Sequence, residues 1–227
     1  MLIHQPDNML NDRKKQAYNY LRNAIISNEL APGAPIREQE LTKRLKMSRT
    51  PIREAMRELE KDGLLISYPA RGTFVLVVSP SDVAEIYDLR ILCELWALEQ
   101  GLSRMHDSEI EIINRLTNEA ETNIDWEKFH LSDLLLHNLI IEKSYNKRLV
   151  SFIQAINGQI ERIRRFNAKG KARYDLGIVE HKKILNALFN RNLPAAKKSL
   201  EEHLRTSRST AIEIAKMFEM QSVPHKS

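Results

Sequence analysis

The chain has 227 residues, with 35 Lys and Arg against 30 Asp and Glu, seven glycines and one cysteine. A lone cysteine excludes an internal disulfide and fits a reducing cytoplasm. No run approaches the ~20 apolar residues of a spanning helix and the N-terminus has no apolar signal core, so a cytoplasmic protein with no membrane segment is expected. The positive excess is uneven: residues 1–78 hold 13 Lys and Arg against 9 Asp and Glu, whereas residues 79–227 hold 22 against 21. Phosphate neutralisation by the first third of the chain would produce that imbalance.

In chain order, Gln16 to Ile26 places Ala17, Tyr20, Leu21, Ala24 and Ile25 on one helical stripe that ends at the turn Ala31-Pro32-Gly33. A short helix over 38–45 follows. The next segment, Ser48-Arg49-Thr50-Pro51-Ile52-Arg53-Glu54-Ala55-Met56-Arg57, reads as a basic helix. Ser48 or Thr50 can cap it, and Pro51 suits a first-turn position where a missing N–H is harmless. Ile52, Ala55, Met56 and Leu59 point inward, which leaves Arg49, Arg53 and Arg57 on the opposite side near the helix start. A recognition helix in the major groove needs that arrangement, although a solvated charged face has the same spacing. Lys43, Arg44 and Lys46 are equally readable as phosphate contacts or as ordinary surface cations. Asp62-Gly63 ends the helix, and Leu64 to Tyr68 and Thr73 to Val78 read as two strands around Pro69-Ala70-Arg71-Gly72. Three helices and a hairpin make a winged helix-turn-helix over residues 1–78.

Leu30-Ala31-Pro32-Gly33, Ser48 to Ala55, Leu59-Glu60-Lys61-Asp62-Gly63-Leu64 and Arg71-Gly72-Thr73-Phe74-Val75 resemble the DNA-binding domain of GntR-family transcriptional regulators. The resemblance implies operator contacts by Ser48, Arg49, Thr50 and Arg53, with Arg71 and Gly72 of the wing lying close to the DNA. Gln39 stands where some members carry a DNA-contacting arginine, and Arg37 is the nearby substitute.

Residues 79–227 read as a second domain. Ser79-Pro80-Ser81-Asp82 is a helix start, with a serine cap, a first-turn proline and an acid near the positive end of the helix. Beyond it helices are expected over 81–104, 107–122, 125–143, 146–168, 173–191 and 193–219, forming an antiparallel bundle. The whole chain is therefore mainly α, a winged helix-turn-helix plus an all-α bundle. The third bundle helix carries Leu131, Leu134, Leu135, Leu136, Leu139, Ile140 and Ile141, and should be central. Asp133 and His137 lie in its middle, four residues apart and on one face. His181 and His203 fall on the inward stripes of the last two helices. Buried groups of this kind need partners. A metal ion satisfies all four at once; hydrogen-bonded core histidines and an internal salt bridge also would. One carboxylate oxygen and three imidazole nitrogens suit Zn²⁺ or Ni²⁺. Cys93 reads as a core residue. No catalytic constellation is visible and no general base stands beside the four residues, so the protein is expected not to be an enzyme.

This half resembles the FCD effector domain of the FadR branch of the GntR family. The resemblance rests on Asp133-Leu134-Leu135-Leu136-His137 with Asn146-Lys147-Arg148-Leu149, on Glu180-His181 with Ile184-Leu185, and on Glu202-His203-Leu204. It implies a divalent metal on Asp133, His137, His181 and His203. A shifted register with His130 as ligand would put Trp126 where the aspartate belongs, and is rejected; His130 is instead expected to line the pocket. Arg90 matches a family position that faces the cavity, and Arg162 and Arg165 are alternatives for clamping a carboxylate with paired hydrogen bonds. The resulting expectation is a homodimeric DNA-binding regulator, a repressor, that reads a roughly palindromic operator and senses a small organic or sugar acid at or near the metal. Three alternatives stand beside it: the ion itself as signal, an acyl-CoA or fatty-acid sensor, and a metal-dependent hydrolase.

Overall fold

The computed structural model describes residues 6–167 and 170–222, apart from the side chains of 6–10, 157, 165–167, 218 and 220–222. Its elements in order are α1 (Pro6–Ile26), β1 (Pro35–Ile36), α2 (Glu38–Leu45), α3 (Arg49–Lys61), β2 (Leu65–Tyr68), β3 (Gly72–Val75), α4 (Pro80–Gly101), a 3-10 turn at Leu102–Arg104, α5 (Asp107–Asn123), α6 (Trp126–Lys143), α7 (Lys147–Asn167), α8 (Lys171–Phe189) and α9 (Leu193–Ser222). They cluster into two units. One runs to Val78 and takes in Ala155–Arg162 of α7; the other comprises Ser79–Gln154 and Ile163–Met220. The boundary Val78/Ser79 coincides with the end of the winged-helix stretch, but the α7 segment makes the division more than two consecutive blocks.

In the first unit Ala17, Leu21 and Ile25 of α1 meet Ile52, Ala55 and Leu59 of α3, all fully buried. Each such large side chain withdrawn from water contributes about 1.5–3 kcal/mol. The helix α1 begins at Pro6, ten residues before the apolar stripe becomes visible, with proline at the position that needs no N–H donor. The wing is a three-stranded antiparallel sheet of order β1-β3-β2, not the two-stranded hairpin the sequence suggests. The extra strand β1 is two residues long, too short to leave a periodic signal. It is set by a turn in which Ala34 N–H donates to the Ala31 carbonyl (3.0 Å) and Gly33 takes φ +76°. That conformation strains any residue with a Cβ. Gly33 N–H and the Val75 carbonyl (2.9 Å), with Val75 N–H and the Ala34 carbonyl (2.9 Å), then lock the turn to β3. β3 stops at Val75, short of the expected Val78; Leu76 N–H still reaches the Leu64 carbonyl (3.0 Å) before the chain leaves the sheet.

Ser48 occupies the N-cap position of α3, but its side chain forms no cap hydrogen bond. The expected cap at Ser79 does form: Asp82 N–H donates to Ser79 Oγ (3.1 Å) and Ser79 N–H to Asp82 Oδ2 (2.9 Å), with Pro80 as first helical residue.

In the second unit α6 packs against α4, α5 and α8. Leu136, Leu139, Ile140 and Ile141 are buried, as a central helix requires, whereas Leu131 is exposed. The helix α4 buries an apolar face of Val83, Ile86, Tyr87, Ile91, Ala97 and Leu98, with exceptions on both faces. It buries Arg90 and Glu94 and exposes Leu89, Leu92 and Trp96. Among the described residues no helix is long and apolar enough to cross a membrane.

Candidate metal centre and arginine cavity

One turn of α6 brings Asp133 and His137 onto the same inward face, and α8 and α9 deliver His181 and His203 opposite them. Asp133 Oδ1 lies 3.5, 3.2 and 3.9 Å from the Nε2 atoms of His137, His181 and His203 respectively. All four ligand atoms fall within 4.8 Å of one another, and all four residues are buried. Around an ion about 2.1 Å from each donor, adjacent ligand atoms stand about 3.0–3.4 Å apart. The donor set therefore fits a single transition-metal ion with side-chain shifts of a few tenths of an ångström to about an ångström. The polar inventory agrees: buried Nε2 of His137 and Nε2 of His181 make no hydrogen bond. An unsatisfied buried nitrogen is destabilising unless something accepts its lone pair.

A second layer fixes the rings. Glu94 Oε2 sits 2.5 Å from His137 Nδ1, and Glu180 Oε2 2.9 Å from His203 Nδ1. With the proton on Nδ1 donated to a carboxylate, each Nε2 presents its lone pair to the centre, the arrangement ligating histidines adopt. Both carboxylates also hold an arginine: Arg90 Nε is 2.9 Å from Glu94 Oε1, and Arg173 Nη1 is 3.0 Å from Glu180 Oε2. The third arginine, Arg164, places Nε 3.1 Å from Asp133 Oδ2. Every arginine is thus tied to the centre through a single carboxylate.

The electrostatics follow from burial and pairing. Burial would raise the Glu94 carboxyl, but Arg90 and His137 outweigh it and bring it down to about 2. Burial acts the same way on Asp133, and Arg164 and His137 hold it well below the ordinary carboxylate range. His203 is kept well below the usual imidazole value by burial and then by its neighbours His181 and His137. An ionised Asp133 beside a His203 held neutral is the protonation pattern metal ligation requires of those two groups.

Beside the centre lies a cavity with about 30 Å³ of water-accessible space, walled by Arg90, Arg164 and Arg173 together with Tyr87, Phe129 and His130. Asp133, His203 and Ser207 form its remaining wall. Arg90 Nη2 and Arg164 Nη1 are buried without a hydrogen bond. Phe129 packs against His181 (ring centroids 5.1 Å apart) and fits a notch at Gly177, where a Cβ would come within 2.6 Å of the ring.

Of the effector residues expected from sequence, Arg90 and His130 line this cavity. Arg162 does not: it is buried, but its Nη1 donates to the Leu76 backbone carbonyl within the first unit. Two residues turn an α-helix by about 200°, so Arg164 takes the inward position Arg162 was expected to fill. The Arg165 side chain lies outside the described residues. Arg164, Arg173, Glu94 and Glu180 were not anticipated. The local signals were the four-residue spacing of Arg90 and Glu94 on α4 and the adjacency of Glu180 to His181. Cys93 is half-buried, and burial pushes its thiol up, away from reactivity.

The residues expected to meet DNA all lie exposed in the first unit: Ser48, Arg49, Thr50 and Arg53 at the start of α3, Arg37 and Gln39 at the start of α2, and Arg71 and Gly72 in the wing. Arg53 Nε is held 2.9 Å from Glu38, and Arg37 Nη1 3.1 Å from Glu40. Both pairs are solvent-exposed, so exchanging the carboxylate for a phosphate or base edge is inexpensive.

Comparison with known proteins agrees with this two-part organisation. Residues 13–75 match the family described as bacterial regulatory proteins, gntR family, and residues 85–206 match the FCD domain. The chain is 34% identical to the HTH-type transcriptional regulator YdhC of Bacillus subtilis (strain 168), over 83% of this chain and 86% of that protein. It is 25% identical to the HTH-type transcriptional repressor RspR of Escherichia coli (strain K12), over 84% and 85%. The solved structure of a GntR transcriptional regulator from Rhodococcus sp. RHA1 shares the fold, with a TM-score of 0.77 at 22% identity, covering 89% of this chain and 98% of that one.

Proposed function

The chain belongs to the GntR family of bacterial transcriptional regulators and carries an FCD domain, and from that premise we propose that it is a homodimeric, cytoplasmic repressor released or retained on its operator by a small carboxylate bound beside a divalent metal. Residues 1–78 are the DNA-binding domain, and 79–227 bind the effector and dimerise. Family membership sets the hydrolase alternative aside. The buried Asp133, His137, His181 and His203 cluster beside the buried Arg90 and Arg164 and the half-buried Arg173 is the observation that carries this reading. The cavity beside it, with about 30 Å³ of water-accessible space and three arginines in its wall, also disfavours a fatty-acid ligand.

Asp133, His137, His181 and His203 would hold the ion, Zn²⁺ or Ni²⁺ by donor type. When bound, the ion supplies a Lewis-acidic anchor for an oxygen of the effector. The chain's own groups do the rest: Glu94 and Glu180 orient the imidazoles, and Arg90, Arg164 and Arg173 direct N–H donors at the ligand. On the DNA side, Arg49 and Arg53 are the base-reading candidates, Ser48, Thr50, Arg37 and Gln39 the positioning contacts, and Arg71 and Gly72 the wing contacts. Repression is supported by the likeness to RspR, which is itself named a repressor. The exposed Leu89, Leu92 and Trp96 stripe on α4 supports pairing of two copies, which hides three large apolar side chains and makes the operator roughly palindromic. The effector must bind one arrangement of the dimer more tightly than another, since equal affinity shifts nothing.

Native mass spectrometry of protein purified gently, without chelator or metal-affinity resin, tests the reading. The expected species is a dimer carrying one metal mass per subunit. A metal-free dimer that also fails to take up added Zn²⁺ or Ni²⁺ would remove the metal from the mechanism.

A further inference from the structure

The chain leaves α2 at Leu45 and enters α3 through Lys46, Met47 and Ser48. Lys46 closes α2 in the left-handed region, at φ 52° and ψ 45°. Its N–H and that of Met47 both donate to the Thr42 carbonyl, and the Met47 side chain is buried in the core, so the turn is firmly held. Glycine adopts this conformation without strain, whereas a residue with a Cβ does not. Among the described residues of the winged-helix unit, Lys46 is the one Lys or Arg with a positive φ. Nothing in the turn uses its ammonium: Lys46 is exposed, and its side chain makes no ion pair or hydrogen bond with the described residues. Its neighbours differ. Arg44 meets Glu29 at 3.2 Å and lies over the Tyr20 ring at 5.0 Å, Arg37 is held by Glu40, and Arg53 by Glu38. Lys43 is also exposed, but it stands in helical backbone, where lysine is well accommodated. A strained, solvated and unpaired cation three residues ahead of Arg49 is explained by no contact within the chain.

Resting on the DNA-binding reading of α3 above, we propose that Lys46 is a phosphate contact, which fixes the register of the recognition helix on the duplex without reading sequence. When the start of a recognition helix enters the major groove, the helix before it crosses the sugar-phosphate backbone, so the turn that joins them comes up beside phosphates. A compact ammonium on a flexible four-carbon stem suits a phosphate oxygen better than the paired acceptors of a base edge.

The test is fluorescence anisotropy of the full-length protein on two labelled duplexes across a salt series, one of random sequence and one selected by the parent protein from a random pool. Three variants separate charge from backbone: Lys46→Gly removes both the charge and the strain, Lys46→Gln removes the charge alone, and Lys46→Arg keeps the charge. Each neutralised phosphate contributes about 0.9 to the slope of log K against log salt, so Lys46→Gly and Lys46→Gln should each lower that slope by about 0.9 per bound subunit. The loss of affinity should be about eightfold per bound subunit at about 0.1 M salt and fade toward about 1 M, equally on both duplexes. Lys46→Arg should keep the parental slope. Thermal unfolding gives the opposite sign: Lys46→Gly should raise Tm by about 2–4 °C while DNA binding falls, a pairing that a damaged fold does not produce. Unchanged slopes in Lys46→Gly and Lys46→Gln overturn the proposal and leave the DNA-binding reading standing. A loss confined to the selected duplex also overturns it, because Lys46 would then read a base. So does a loss in Lys46→Gly that Lys46→Gln does not share, which would assign the effect to the backbone, and so does a lowered Tm in both, which would make Lys46 a structural residue. A parent protein that binds neither duplex overturns both readings.

Discussion

Arginine is used in opposite ways in the two units. In the winged-helix unit Arg37 and Arg53 meet carboxylates at the surface, with side chains 67% and 55% exposed. In the bundle Arg90 and Arg164 meet theirs with side chains 2% and 8% exposed. At a similar separation, one charge pair in water is worth about 1 kcal/mol and the same pair in a protein interior several times that. The exposed arginines can change partner at little cost. The buried ones are committed, because removing either member strands the other. Partner exchange and partner fixation follow from burial alone, with the same functional group and nearly the same distance.

Four measurements probe that contrast. Asp133→Ala leaves Arg164 buried and unpaired and removes the one oxygen shared by three imidazoles; urea unfolding should show a loss of about 3–5 kcal/mol, together with loss of bound metal. A loss below about 1 kcal/mol would mean the buried charges are not interlocked. Arg49→Ala or Arg53→Ala should leave unfolding within about 0.5 kcal/mol of the parent while reducing discrimination between operator and random DNA by about 1–3 kcal/mol. Equal weakening on both DNAs would assign the residue to the phosphate backbone instead. A double-mutant cycle between Glu38 and Arg53 should give a coupling of about 0.2–1 kcal/mol, and a larger value would mean this pair is not free to exchange. The last concerns pH and Tyr18, whose hydroxyl donates to Asp62 (2.6 Å) and whose pKa is raised by burial and that hydrogen bond from 10.0 to about 12. A raised folded-state pKa gives stability that is complete below pH 10 and is lost as pH climbs toward 12. Alkaline denaturation should show that slope, and Tyr18→Phe should flatten it.

The helices and the four candidate ligands could be read from sequence because both rest on local spacing. Asp133 and His137 are one turn apart, and His181 and His203 sit on apolar stripes that declare which way they point. The second layer could not be read the same way. Glu94 reaches His137 from another helix, and Arg164 and Arg173 are identifiable only once α7 and α8 are placed around Asp133. On α4 the buried face is marked by Val83, Ile86, Tyr87, Ile91, Ala97 and Leu98, and Arg90 and Glu94 share it; Arg90 was expected to face the cavity, but its pairing with Glu94 was not. Burial of a charged pair is decided by what lies across from it, which periodicity does not report. β1 was missed for a simpler reason, since two residues have no period.

The separation of the four candidate ligands along the chain also sets an order of events in folding. Asp133 and His137 share a turn of α6 and are neighbours as soon as that helix forms, on the sub-microsecond scale of helix growth. His181 and His203 join them only after chain segments of tens of residues have closed, and the entropy of that closure is recovered only when the bundle has packed. A two-residue cradle is therefore available early and a four-residue cage late. Metal capture followed in a stopped-flow refolding experiment should accordingly keep time with docking of α8 and α9, making the ion a clock for the last steps of assembly and a weak brake on the first steps of unfolding.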